Sequence, residues 1–182
     1  MNQQERPQRD ESDRLLAVYL RDHFAGSTAG LALVRRCRRN NAGNELGEVL
    51  TGVENDIDED RRALQEIMAR LGVTPSTLKS AVGSIAELVG RLKSNGRLFR
   101  YSPSSAVVEL EGLAAGILTK RNLWRSLRAA SPAHATLSTA DLDALEERAT
   151  AQLDRVLAAH ERAAARAFGS LEPQPPASEP PT

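Results

Sequence analysis

A chain of 182 residues with 41% hydrophobic content can bury one full core, and a single domain is the natural expectation. Its 24 basic and 24 acidic side chains cancel and its pI lies near 6.9, so no global field draws it to nucleic acid or to an acidic membrane. Aromatic residues at 3% leave little for base stacking, and the single cysteine, Cys37, excludes an intrachain disulfide, which fits a reducing, cytoplasmic compartment.

Residues 1–11 are polar, carry the run Gln3, Gln4, Glu5, Arg6 with no apolar stretch, and read as a disordered tail without a signal peptide. A first helix is expected from a cap at Ser12 to Asn40, with Asn41 and Gly43 as stop and turn residues. It carries two apolar stripes, Leu16, Tyr19, His23, Gly26, Gly30, Leu33, Cys37 and Leu20, Phe24, Leu31, Val34, the mark of a helix with neighbours on two sides. Gly26 and Gly30 cost helix propensity, as do Gly112 and Gly116 further on, and both spacings suggest close contact with another helix.

The second helix holds a seven-residue repeat from Leu46 through Leu50, Val53, Ile57, Asp60, Leu64 and Ile67 to Leu71, and ends at Gly72. Asp60 stands where an apolar residue belongs. Thr74 and Pro75 then open a third helix on Leu78, Val82, Ile85, Val89 and Leu92, stopped by Asn95 and Gly96. Ser102 and Pro103 start a fourth on Leu110, Leu113, Ile117, Trp124 and Leu127, which ends before Pro132. Ser138 with Asp141 caps a fifth, on Leu142, Leu145, Ala149, Leu153, Val156 and Ala163, running to Phe168. Residues 169–182 hold five prolines and read as a disordered tail, leaving one helical domain over 12–168. No stretch approaches the roughly 20 apolar residues of a membrane span. The pattern predicts an all-α, up-and-down bundle of four long helices plus a fifth C-terminal helix.

Residues equidistant from a turn share a depth in an antiparallel hairpin, because both helices rise equally per residue. Counting from the expected turns brings His23, Asp60, Glu87 and Glu111 to one mid-bundle height, one per helix, as a candidate metal-binding set. For Asp60 the plainer reading is a buried carboxylate paired with an Arg, His or Lys of a neighbouring helix, with Lys120 a ready counter-charge and His23 a ready donor. Glu87 sits on a polar face with Ser80, Ser84 and Arg91, where a solvated pair with Arg91 suffices.

Four long helices with carboxylates and a histidine at one level look like the ferritin-like superfamily. The segments Tyr19–Gly30, Asp56–Val73, Gly90–Gly96 and Ser102–Leu127 resemble an uncharacterised group of actinobacterial ferritin-like bundle proteins, over most of residues 13–167. Metal-binding members of that superfamily place a Glu on two helices and Glu-x-x-His on two others. Here Leu20, Ser131 and Leu157 stand three before His23, His134 and His160, so the resemblance implies a bundle lacking a standard di-iron centre.

The preferred expectation is therefore a bundle with no cofactor that acts through self-association or partner helices rather than as an enzyme. One alternative is a metal-handling or oxidase bundle that takes iron or manganese at His23, Asp60, Glu87 and Glu111. A second is a helix-turn-helix DNA regulator over Ala63–Leu78, disfavoured because the would-be reading helix offers only Lys79 before Arg91. No nucleophile–base grouping, phosphate loop or nucleotide fingerprint is present.

Overall fold

A computed structural model describes residues 5–75 and 101–169 of the chain. Four long helices form an all-α up-and-down bundle: α1 (Glu5–Asn40), α2 (Glu45–Arg70), α3 (Pro103–Ala130) and α4 (Thr139–Phe168), with a 3-10 turn at Ser131–Ala133 between the last two. The stretch expected as a third helix, Glu87 included, lies outside the described residues, as does the proline-rich tail after residue 169. Among the described residues the C-terminal helix is thus the fourth long helix.

Local chemistry accounts for the boundaries. Asn44 caps α2 by accepting from Gly47 N, and Ser102 caps α3 in a reciprocal box with Ser105 and a proline at the first turn. Ser138 caps α4 by accepting from Asp141 N. Gly43 and Gly72 take positive φ (84° and 69°) where the chain leaves α1 and α2. The one shifted boundary is the start of α1, which begins at Glu5 rather than at Ser12, so residues 5–11 belong to the helix.

Ion pairs across the seams fix the directions. Glu54 of α2 accepts from Arg35 (2.9 Å) and Arg38 (2.6 Å) of α1, which makes that pair an antiparallel hairpin. Arg128–Asp143 (2.8 Å), Arg125–Glu146 (2.5 Å) and His160–Glu111 (3.3 Å) do the same for α3 and α4. Tyr19 meets Ser126, and Leu33 faces Gly112, so α1 also runs antiparallel to α3. Helices α2 and α3 therefore point the same way and stand diagonally, with α1 on one side and α4 on the other. The core divides in two along the bundle: Leu50, Val53, Leu110, Leu113 and Val156 at one end, Leu20, Met68, Trp124, Leu127 and Leu142 at the other.

At the tight α1–α2 turn a Cβ on Gly47 would lie 2.2 Å from the Asn41 carbonyl oxygen, a backbone atom with no room to yield. Gly47→Ala is expected to lower unfolding free energy by about 1–3 kcal/mol, the usual cost of overpacking. Urea denaturation measures it, and an unchanged midpoint would contradict this account of the turn.

Candidate functional site

Asp60 lies between Ile57 and Leu64 on the inner stripe of α2, so helical rotation turns its carboxylate into the core, where it is 1% exposed. Arg148 of α4 donates to Oδ1 through Nε (2.7 Å), and its Nη2 lies 2.6 Å from the same oxygen as an ion pair. Gln152, one turn further along α4, donates from Nε2 to Oδ2 (2.9 Å). Lys120 of α3 reaches across the diagonal to the same Oδ2 and also donates to Gln152 Oε1. Arg148 in turn pairs with Glu59 at the rim, so two carboxylates balance two cations.

The cluster satisfies the rule that a buried charge needs both a counter-ion and hydrogen bonds. A carboxylate offers about four acceptor sites, and here three hydrogen bonds and one further guanidinium contact surround it. The cations are less deeply placed, with side chains 16% (Lys120) and 26% (Arg148) exposed, so each keeps some water on its outer side. Burial pushes the Lys120 ammonium below the usual lysine range, and the Asp60 charge opposes that shift.

The other members of the candidate metal set are less convergent. His23 shares a cleft with Asp60 but packs edge-on against Tyr19, with ring centroids 4.5 Å apart. The hydrogen-bond partners of Asp60 among the described residues are Lys120, Arg148 and Gln152, so His23 is not its donor. Glu111 sits beside Gly112 at the height of Leu33, pointing outward to His160, while Lys120 holds Asp60's height on α3. Glu87 lies outside the described residues. Among the described residues no group of three or more His, Cys, Asp or Glu side chains is placed to hold a metal ion.

A second buried acid lies at the opposite end. Glu109 accepts from Tyr101 Oη (3.1 Å), and Arg36 Nε lies 2.9 Å from its other oxygen as an ion pair without hydrogen-bond alignment. Tyr101 Oη also accepts from Asn41 Nδ2 (2.7 Å) and lies 4.0 Å from Cys37 Sγ. Burial, with Glu109 adding to it, pushes the Cys37 thiol up to about 12. A thiol so held is a small packed group, not a nucleophile.

Fold and site together define an all-α bundle, of four long helices among the described residues, built over a mid-bundle ion cluster. Comparisons with protein-family models, with curated proteins and with solved structures found no match to this chain. Sequence reasoning had Asp60 and Lys120 but passed over Arg148 and Gln152. Gln152 was visible, seven residues after Leu145 and four before Val156, in the stripe itself. Arg148 left no such trace, because it reaches inward from a rim position.

Three outcomes follow from this geometry. Asp60→Ala strands Lys120 and Arg148 and is expected to cost roughly 3–5 kcal/mol in chemical denaturation, less what partial solvation of the two cations returns. A loss below about 1 kcal/mol would show that the cluster is not an ion trap. Cys37 is expected to stay unmodified by a thiol reagent at pH 8 in folded protein and to react on unfolding, as mass spectrometry would read. Burial holds the His23 imidazole below the free value of 6.5, with Asp22 opposing. Its contribution to stability is thus complete above pH 6.5 and lost as pH falls through the folded value, so NMR should find His23 titrating below 6.5.

Proposed function

We propose that this chain is a ferritin-like helical bundle that acts through protein association, its mid-bundle position given to a structural ion cluster rather than to a metal or a reaction centre. The observation that carries the association half is the belt Gly112–Thr119 on α3. In a chain in which 26% of residues are charged, these two turns contain no charged side chain on any face, yet Ala115, Gly116, Leu118 and Thr119 are exposed. A helix apolar on all sides is normally covered on all sides, and depletion of charge marks the centre of protein interfaces.

The register of the α3–α4 pairs sets Leu118 opposite Leu153 and Ala114 opposite Leu157. Leu118 (40% exposed) and Leu157 (43% exposed) thus belong to one outer apolar strip along that seam. The occupant proposed for the strip is a second copy of the chain: zero formal net charge removes the long-range repulsion that would keep copies apart. The filled oxygens of Asp60 support the other half of the reading, since a ligand would have to displace Arg148 or Lys120 to reach them.

Light scattering during size exclusion tests this over a dilution series. The wild type is expected to form a concentration-dependent oligomer, and Leu118→Glu with Leu157→Glu to shift it to monomer with unchanged helical circular dichroism. A wild type that is monomeric at every concentration would contradict the reading.

A further inference from the structure

Glu111, Leu118 and Arg125 recur every seven residues along α3, and seven residues fall only about 20° short of two full turns. The three side chains therefore stand nearly in one line. Neighbouring contacts say where that line faces. Glu111 and Arg125 reach sideways to His160 and Glu146 of α4, while Gly112 and Ser126 meet α1 on the other side. The line between them faces away from the core, and its members are exposed: Glu111 by 60%, Leu118 by 40% and Arg125 by 51%. Ala115 and Asn122, also exposed, lie between the two charges, whereas Lys120 turns inward to Asp60.

This face thus carries one acid and one base at equal distances from a central leucine. Such a pattern is complementary to its own reverse. In an isologous pair every contact occurs twice, so a residue a given number of places before the axis meets the one that many places after it. With the axis at Leu118, Glu111 of each copy meets Arg125 of the other, and Leu118 meets itself. On α4 the same axis crosses at the height of Leu153 and sets Leu157 of the two copies on either side. A parallel arrangement would instead lay α3 over α4 and bring Arg125 to Glu146 of the other copy. Glu146 is only 16% exposed and is already held by Arg125 and Arg128 of its own chain, so it has little to offer.

We infer that two copies of the chain pair antiparallel along α3, about a two-fold axis at Leu118, with Glu111–Arg125 ion pairs closing both ends. The inference rests on the association proposed above and gives it a geometry. The span between the two charges is about 21 Å. The leucines supply the apolar contact at its centre, and the charges set direction and register more than they add strength. A copy shifted by one turn, or turned end for end, loses both ion pairs at once.

A charge swap in the full-length chain tests it, read by analytical ultracentrifugation at low salt. Glu111→Arg alone and Arg125→Glu alone each set like charges together at both ends and are expected to weaken self-association about tenfold. An equimolar mixture of the two variants restores both pairs and is expected to associate as tightly as the wild type. Leu118→Cys gives a second readout that needs neither charge variant to fold. At the axis its thiol meets its own copy within disulfide reach, so mild oxidation is expected to cross-link the dimer, with buried Cys37 taking no part. Leu157→Cys, about 12 Å from its copy along the bundle, is expected to stay uncross-linked. A wild type that associates while the mixture does no better than the single variants would overturn this geometry and leave the association standing. Cross-linking at 157 but not at 118 would do the same. A wild type monomeric at every concentration would overturn both.

Discussion

One buried carboxylate joins three of the four described helices. Asp60 on α2 is held by Arg148 and Gln152 of α4 and by Lys120 of α3, in a region otherwise lined by Ile57, Leu64 and Ile117. Desolvating such a group costs several kcal/mol, and the attraction to its partners returns about that much only when every lone pair is used. The net contribution to stability is therefore modest, while the penalty for misplacing any partner is large. A slide of α4 by one turn would leave the carboxylate without its guanidinium. The cluster thus acts as a register pin in a core whose other buried side chains are mostly interchangeable Leu, Val and Ala.

The pin also shapes the chemistry open to the bundle. A metal centre between helices needs carboxylate oxygens with free lone pairs and neighbours that bring nitrogen or oxygen donors. Here the height that could serve one is occupied by a lysine and an arginine whose charges oppose a cation. The second buried acid, Glu109, is likewise taken by Tyr101 and Arg36. Both acids buried among the described residues are turned to holding the fold together, and the proposed association rests on the surface instead. Helix α3 is central to that view, with its uncharged belt beside an exposed leucine strip.

Much of this was legible in the residue pattern, and the failures have physical causes. The heptad from Leu46 to Leu71 fixed which face of α2 points inward, so Asp60 could be placed in the core and Lys120 named as its counter-charge. Caps at Ser102 and Ser138 and the glycines after α1 and α2 gave those boundaries, because each local hydrogen bond or φ requirement admits few residue types. The start of α1 was missed because charged residues Glu5–Asp13 carry no apolar stripe, while charge by itself does not forbid a helix. Arg148 was missed because a long side chain can enter the core from a rim position that periodicity assigns to solvent. Glu111 was set at the height of Asp60, but Lys120 holds that height on α3, and the Leu33–Gly112 contact places Glu111 well along α1 from His23. The glycines were read as contact points: among the described residues Gly112 meets Leu33 of α1, while a Cβ at Gly26, Gly30 or Gly116 would meet nothing within 4 Å.

A double-mutant cycle between Asp60→Asn and Arg148→Met, followed by equilibrium unfolding in urea, asks most directly whether the bundle is pinned through this pair. Coupling of about 1–3 kcal/mol is expected, with the double variant more stable than the sum of the single losses. Single losses that add to within roughly 0.5 kcal/mol would mean that the two side chains do not act as a unit, and that the bundle has no register pin at this height.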